Sequence, residues 1–339
     1  MHVGKKFGLL EALIWTRRSI YKFIVLATIP TLLYQLLGWH WLGIPWLPIA
    51  MIGTAVAFIV GFKNNASYDR LWEARKIWGG IVNSSRTFGI MIRDFISNRH
   101  SGKNLSKAQK HEITKVMIYR HIAWITALRH QLRAPRTWEN MDSAQNKEYR
   151  NYYTIPEYEQ KLEDDLAPFL APEEITEALQ KKNIATHLIS EQSKDLKKLL
   201  KKGLIEDFRH MELANILKDL YDHQGKCERI KNFPYPRQFA TLNVFFVWLF
   251  LLLVPFGMLQ EFEKMGENMI WLTIPFSTMV CWVFHTMENI GEVTENPFQG
   301  GANDIPMHSL ARTVEIDLRE MLGEKDLPEP IAPTNNILM

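Results

Sequence analysis

Apolar residues in this chain are concentrated in four long uncharged stretches. Residues 23–62 contain no Asp, Glu, Lys or Arg, and this stretch is about twice the roughly 20 residues that a helix needs to cross a bilayer. Its middle, residues 38–48 (GWHWLGIPWLP), is rich in Gly, Pro and Trp, which permit a chain reversal and favour the membrane–water boundary. The pattern predicts two membrane-spanning helices joined as a hairpin.

A second hairpin is predicted near the carboxyl end. Residues 238–260 and residues 268–287 carry no formal charge, and the short polar segment 261–267 separates them. Buried helices of a large globular protein rarely hold so many apolar residues without a charge. We therefore expect a membrane protein with four spans.

The remaining residues read as helices that continue the membrane bundle. Residues 64–235 show no period-2 alternation typical of a strand, so the fold class is predicted to be all-α. Ser106 is a candidate N-cap for a helix that ends near Arg133, and Gly203 is expected to end a helix over 183–202. One more helix is expected to end near Gln224, and the last twelve residues (PEPIAPTNNILM) are expected to form a disordered tail.

Four segments follow from this organisation. Residues 1–63 form an amino-terminal membrane hairpin that includes the second helix, and residues 64–236 form a cytoplasmic helical region. Residues 237–290 form the carboxyl-terminal hairpin, and residues 291–339 form a cytoplasmic segment with the tail.

The distribution of positive charge predicts the orientation. Lys and Arg flank the spans on the side that holds the long middle section, whereas the two turns on the other side carry only Lys264. By the positive-inside bias, both termini lie in the cytoplasm and the protein is a multi-pass protein of the cell (inner) membrane. The two cysteines offer no disulfide framework, and a net charge of +3 gives no argument for nucleic acid.

The search for enzyme chemistry finds one weak arrangement. The sequence has no HExxH or Cys-x-x-Cys spacing and no phosphate-binding glycine loop. His285, Glu288 and Glu292 share a helix face where the fourth span leaves the membrane, a spacing that ligates metals when a second pair is present. None is visible in the other spans, so neither a metal nor a cofactor is expected. The middles of the spans lack acidic and basic residues, which favours passive permeation or a structural role over proton coupling.

The second span has the most informative pattern. Thr54, Phe58 and Phe62 are spaced four apart and share one helix face. The neighbouring face carries small residues that permit close helix packing, namely Gly53, Ala57 and Gly61. Such a helix can surround an axis in an oligomer. The alternative is that the phenylalanines face lipid or a neighbouring helix.

Three motifs in order resemble the bestrophin family, prokaryotic branch. They are residues 62–79 (FKNNASYDRLWEARKIWG) after the second span, residues 225–236 (GKCERIKNFPYP) before the third, and residues 295–304 (ENPF…ND) after the fourth. The resemblance implies a homopentameric ion channel with one central pore lined by the second span. It places a hydrophobic neck at Thr54, Phe58 and Phe62, where Thr54 departs from the larger apolar residue usual in the family.

The resemblance also implies a lower cytoplasmic aperture at Ile184, with Leu188 as the alternative position. Lys63, Lys181 and Lys182 would favour anions if they face the axis, whereas Asp69 and Glu73 would oppose this. Chloride or another small anion is expected on family grounds, and a monovalent-cation channel of the same architecture is the close alternative. A non-conducting scaffold or a metal-dependent membrane enzyme is the alternative from another class.

Calcium gating is not expected from these residues. Animal members of the family bind calcium through an acidic run after Asn-Pro-Phe, whereas residues 299–304 (QGGAND) supply one acid here, Asp304. A calcium site needs six to eight oxygen ligands, several of them from carboxylates. Asp304 is instead expected to cap the helix that begins near Pro306.

Overall fold

The computed structural model describes residues 1–99, 101 and 104–339, which fold into an all-α protein. Within these residues the only extended pairing consists of isolated bridges. The helices are α1 (Leu9–Leu37), α2 (Trp46–Phe95), α3 (Lys107–Arg133), α4 (Ala144–Tyr149), α5 (Pro156–Glu159), α6 (Leu162–Leu166), α7 (Pro172–Leu179), α8 (Ile184–Lys201), α9 (Asp207–Asn232), α10 (Arg237–Glu263), α11 (Thr273–Thr294) and α12 (Met307–Met321).

Four helical segments are long and apolar enough to cross a membrane, and they form the two predicted hairpins. Gly38, with a φ of 67°, ends α1, and the 3-10 turn His40–Leu42 leads into α2. Gly266, with a φ of 126°, precedes the 3-10 turn Glu267–Leu272 that leads into α11. Both glycines lie in regions of backbone space that other residues rarely adopt. The four helices pack on one another around an apolar cluster that includes Phe23, Ile49, Val56, Val60, Phe250 and Val254.

The second helix is one continuous element of 50 residues. Its outer half packs against α10 and α11, and its inner half packs against α9 and α12. Because helix rise is about 1.5 Å per residue, α2 is about 75 Å long and leaves the membrane without a break. The bundle of apolar helices and the remaining helices therefore share a structural element.

The helices outside the four apolar segments enclose a separate apolar core. Trp78 of α2 and Trp124 of α3 are fully buried at its centre, and the Trp124 indole donates to the Gln224 amide oxygen at 3.0 Å. Ser106 caps α3 through a reciprocal capping box with Gln109. Gly203 follows α8 with a φ of 66°, as the sequence predicted.

Two sequence predictions about this region are wrong. The helix expected to end near Gln224 continues to Asn232. The expected disordered tail is ordered, because Ile337 and Met339 are buried against Tyr153 and Ile155. Asn335 and Asn336 both have positive φ and make a tight turn in which Thr334 and Ile337 exchange backbone hydrogen bonds of 2.9 Å.

The amino terminus completes this cluster. The Val3 amide donates to the Asn336 carbonyl at 2.8 Å, and the Leu338 amide donates to the Met1 carbonyl at 2.9 Å. The first and last residues of the chain therefore pair with each other on the surface of the cytoplasmic part.

Candidate ion pore

The two long faces of α2 differ sharply in burial. One face is buried along the whole helix, and its members include Gly53, Val56, Val60, Lys63, Ser67, Ala74, Trp78, Ile81 and Ser85. The opposite face is solvent-accessible in the single subunit, and its members include Thr54, Phe58, Phe62, Asn65, Asp69, Trp72, Lys76 and Asn83. Both sets recur at the 3.6-residue helical period. The second helix therefore presents an exposed stripe that runs from its apolar amino-terminal half into its polar carboxyl-terminal half.

The apolar part of this stripe consists of the residues singled out from sequence. The side chains of Phe58 and Phe62 are 65% and 69% exposed, although they lie within an otherwise apolar span. Thr54 lies one turn further out, and its hydroxyl donates to the Ala50 carbonyl at 2.9 Å. Because that hydrogen is used within the helix, Thr54 presents a methyl group and an acceptor oxygen. Successive members lie about 6 Å apart along the axis.

The small-residue face packs closely at only one of its three positions in the subunit. A Cβ atom added at Gly53 would lie 2.6 Å from the Phe250 ring of α10, whereas one added at Gly61 meets nothing within 4 Å. Ala57 is exposed. An open groove of about 560 Å³ lies between α2 and the neighbouring helices α10 and α11. It is lined by Trp46, Ala50, Gly53, Thr54, Ala57, Phe58, Phe250, Val280 and Phe284.

Lys63, which would favour anions only if it faced the axis, does not lie on the exposed face of α2 that carries the phenylalanines. Lys63 is 2% exposed, and its ammonium group is paired with the Glu288 carboxylate of α11. Lys63 follows Phe62 directly, and successive helical residues point about 100° apart. The side chain of Lys63 is therefore directed into the subunit, away from the phenylalanine stripe.

The exposed stripe becomes polar on the cytoplasmic side of Phe62. Asn65, Asp69 and Lys76 continue it, and their charges are mixed in sign. Beside them, the rings of Tyr68 and Trp72 stack with their centroids 6.3 Å apart.

Ile184 lies at the first position of α8 and is half-buried against the cytoplasmic core. Asn183 caps this helix, because its side-chain oxygen accepts from the Thr186 amide at 2.9 Å. The Asn183 amide group donates in turn to the Glu228 carboxylate at 2.9 Å, which also accepts from Gln224 and Gln131. These hydrogen bonds hold the start of α8 against α9 and α3.

The alternative aperture residue is more deeply buried than Ile184. Leu188 is fully buried in the apolar core, whereas Ile184 is partly buried against it. Lys181 and Lys182 are exposed before α8, and the Lys181 ammonium lies 3.5 Å from the Glu177 carboxylate.

Comparison with known proteins decides the family. The family model described as the bacterial and fungal bestrophin protein matches residues 13–320. The chain belongs to that family. Among its relatives, the voltage-dependent anion channel-forming protein RSc3414 of Ralstonia nicotianae is 28% identical over 303 residues, covering 88% of this chain and 86% of the relative. The voltage-dependent anion channel-forming protein YneE of Escherichia coli K12 is 26% identical over 287 residues, covering 84% and 80%.

Solved structures show the same fold. A crystal structure of a bacterial bestrophin homologue from Klebsiella pneumoniae matches with a TM-score of 0.72 and 23% identity, covering 90% of this chain and 97% of that one. A crystal structure of a mutant of the Klebsiella pneumoniae homologue matches with a TM-score of 0.73 and 23% identity, covering 92% and 100%. The bestrophin fold therefore extends over nearly the whole chain.

In this bestrophin-family chain, the loop after α11 does not fit a calcium ion. Asp304 is 1% exposed, and its Oδ2 atom accepts from the Gly300 and Gly301 amides at 2.8 and 2.9 Å. The Arg133 guanidinium lies 3.9 Å from the same oxygen. Burial raises the pKa of Asp304 to about 6, although Arg133 and the two amides oppose the shift. One carboxylate beside a cation lacks the oxygen ligands that calcium requires.

The prediction that Asp304 caps the following helix is also wrong. Its hydrogen bonds go backward to Gly300 and Gly301 rather than to α12, so the carboxylate closes its own loop. Gly300 has a φ of 99°, and this conformation is what lets two successive amides point at one oxygen. The sequence QGGAND shows that glycines precede Asp304. Which backbone amides donate to the Asp304 carboxylate is determined only by the conformation of the folded loop.

Two of the three candidate metal ligands make other contacts. Glu288 is paired with Lys63, and the His285 ring packs edge-on against Phe23 with centroids 5.3 Å apart. Across the described part of the chain, no group of three or more His, Cys, Asp or Glu side chains converges to hold a metal ion.

Proposed function

We propose that this protein is a pentameric channel that passively conducts small anions, with chloride as the first choice, across the inner membrane. Both termini lie in the cytoplasm, as the positive-inside bias indicates. The observation that carries the proposal is the exposed phenylalanine stripe on α2, in a chain whose relatives are named anion channel-forming proteins. The same relationship favours a channel over a scaffold or a metal-dependent enzyme.

Five copies of the stripe around one axis would form the pore. Large aromatic side chains that are two-thirds exposed within an apolar span need either lipid or other copies of the chain beside them. The polar continuation at Asn65, Asp69 and Lys76 supports the second choice, because a stripe that faced lipid would have no reason to remain in register with polar residues beyond it. We therefore assign the stripe to a shared axis.

Phe58 and Phe62 form the neck in this proposal, and Thr54 lies at its outer end. Two successive rings of phenylalanines make a constriction too apolar to hold water unless it widens, which is a gate that works by dewetting. Phenylalanine edges carry partial positive charge, so rings presented edge-on favour a passing anion. Lys63 is paired with Glu288, so its charge is compensated and the rings carry the local selectivity.

Ile184 forms the lower aperture in this proposal. Its position at the start of α8 is fixed by the Asn183 cap and the Glu228 carboxylate. A side chain on a firmly held helix start can act as a size filter, whereas one on a mobile loop cannot keep a constant radius.

Ion selectivity is the first test of the function. Purified protein in liposomes or planar bilayers under a KCl gradient should give a reversal potential close to the chloride equilibrium potential. A value close to the potassium equilibrium potential would instead support the monovalent-cation channel. Replacement of chloride by a large organic anion is the control, because it should abolish inward anion movement and leave a cation current unchanged.

The neck assignment is tested by removing the rings. Phe58→Ala and Phe62→Ala should each raise the open probability, because a wider and less apolar constriction stays wet. Single-channel recording of purified protein measures this effect. Phe245→Ala is the matched control, since Phe245 of α10 is 62% exposed but lies outside the stripe.

Unchanged currents in both neck variants would refute the neck assignment. The assembly itself is measured by the mass of the detergent-solubilised particle, which should equal about five subunits of 39.6 kDa. A monomeric particle would contradict a pore made by a shared axis.

A further inference from the structure

A buried ion pair lies directly behind the inner ring of the proposed neck. Lys63 and Glu288 have side chains only 2% and 5% exposed, and the ammonium group donates to the carboxylate. They join α2 to α11 at the inner end of the membrane bundle. Phe62, the neighbour of Lys63 in sequence, is 69% exposed on the other side of the same turn.

The surroundings of the pair hold the two helices in close contact. The Asn64 amide group donates to the Met287 carbonyl at 3.0 Å. A Cβ atom added at Gly291 would lie 2.3 Å from the Asn64 side-chain oxygen and 3.5 Å from the Lys63 side chain. A side chain at Gly291 would have to displace the Asn64 amide group, so α2 and α11 lie in close contact at this point.

Other charged groups lie near this pair. Glu292 lies one turn further along α11, where its backbone carbonyl accepts from Asn140 at 3.0 Å, and its carboxyl group interacts electrostatically with both Glu288 and Lys63. Glu295 accepts from Arg237 at 2.6 Å, and the Arg70 guanidinium donates to the Glu295 and Ile230 carbonyls. Lys63 and Glu288 therefore form a direct ion pair within a group of buried charges that also includes Glu292 and Glu295.

We infer that Lys63 and Glu288 are positioning residues, which hold Phe62 in the neck by locking the rotation of α2 against α11. The inference rests on the proposed channel function and extends it to residues outside the pore. A buried ion pair adds little stability over an apolar pair of the same size, whereas loss of one partner leaves a costly unpaired charge. The main contribution of such a pair is that it restricts the two helices to one relative arrangement.

Two consequences distinguish this role from a direct effect on ions. The charge of Lys63 is compensated and directed away from the axis, so its removal should leave the reversal potential unchanged. Loss of either partner should draw water to the remaining charge and loosen the contact between α2 and α11. The neck should then open more easily.

The test is a double-mutant cycle in single-channel recordings. Lys63→Met and Glu288→Gln should each raise the open probability by about tenfold, which is well within the cost of an unpaired buried charge. The double variant Lys63→Met/Glu288→Gln should return toward the wild-type value, because neither charge remains. Reversal potentials should be equal in all four proteins.

A solvent-exposed ion pair that also joins α2 to a neighbouring helix is the matched control. Glu73 of α2 and Arg229 of α9 lie 2.6 Å apart but are 43% and 64% exposed, so Glu73→Gln, Arg229→Met and their combination should show almost no coupling. Thermal unfolding and particle mass identify any variant that fails to fold. In that case the charge-reversed variant Lys63→Glu/Glu288→Lys takes its place, and it is expected to have an open probability close to that of the wild type.

Three outcomes would overturn the inference while wild-type currents remain. In the first, the single variants keep the wild-type open probability. In the second, the increase in open probability of the double variant equals the product of the two single increases. In the third, Lys63→Met alone shifts the reversal potential. The last outcome would place the lysine at the axis. Failure of the proposed function is recognised differently, because the wild-type protein itself would then carry no current or a cation current.

Discussion

At the scale of single residues, burial determines which histidines can take up a proton. His121 of α3 is fully buried, and its ring lies near the Phe88 and Trp124 rings with centroids 4.8 and 5.1 Å away. Its Nε2 atom is 2.9 Å from the Ser85 hydroxyl. Burial lowers the pKa of His121 to about 3, so the folded protein holds this ring neutral.

The lowered pKa of His121 determines how the stability of the protein changes with pH. The folded-state pKa of His121 lies below its ordinary value of 6.5, so its contribution to stability is complete above pH 6.5 and is lost as the pH falls toward 3. We predict that His121→Gln makes the free energy of unfolding less sensitive to acid by up to about 1.4 kcal/mol per pH unit in that window.

Thermal unfolding of both proteins in detergent between pH 7 and pH 4.5 measures the difference. His111→Gln is the control, because His111 is exposed on the same helix and should leave the pH dependence unchanged. Parallel curves for wild type and His121→Gln would contradict the prediction.

At the scale of helices, the boundaries that the sequence predicted well are those marked by local chemistry. Ser106 and Gln109 form a capping box, Asn183 caps α8, and Gly203 follows it with positive φ. These signals depend on a few neighbouring residues, so they are visible without the fold. The end of α9 was missed because Gly225, a residue type common just after a helix, follows Gln224, yet the helix continues through it to Asn232 and buries Cys227 and Ile230.

Tertiary contacts decided the features that sequence could not predict. Lys63 looks like a charge at a membrane boundary until Glu288, 225 residues later, is found beside it. The tail looks disordered by composition, but Ile337 and Met339 find apolar partners on a distant loop. In contrast, the spacing of Thr54, Phe58 and Phe62 is a local property of one helix, and the structure leaves all three exposed. Their role in a neck remains a prediction.

Packing between the membrane helices makes a further prediction at this scale. Gly53→Val should lower the stability of the protein by about 1–3 kcal/mol, because the added side chain overlaps the buried Phe250 ring. Thermal unfolding of the solubilised protein measures the change.

Gly61→Val is the matched substitution on the same helix. A Cβ atom at Gly61 meets nothing within the subunit, so the fold of the subunit should tolerate it. Equal losses of stability in the two variants, at equal particle mass, would show that the contact of Gly53 with Phe250 does not hold α2 against α10.

At the scale of the whole molecule, the ends of the chain and the loop after the fourth span meet in one place. Ile337 and Met339 pack with Tyr153, whose hydroxyl donates to the Gly300 carbonyl at 2.9 Å. The Ser309 amide donates to the Met339 carbonyl at 2.7 Å. Segments that lie far apart in sequence thus stabilise the loop that contains Asp304.

The unbroken length of α2 has a mechanical consequence. A stiff rod about 75 Å long that tilts by about 5° around one end moves its far end by about 6 Å, roughly the width of a phenylalanine ring. The α2 helix joins the membrane bundle to the cytoplasmic core without a hinge. In the proposed channel, a ligand or partner that tilts the carboxyl-terminal half of α2 would therefore change the pore width without contacting the membrane.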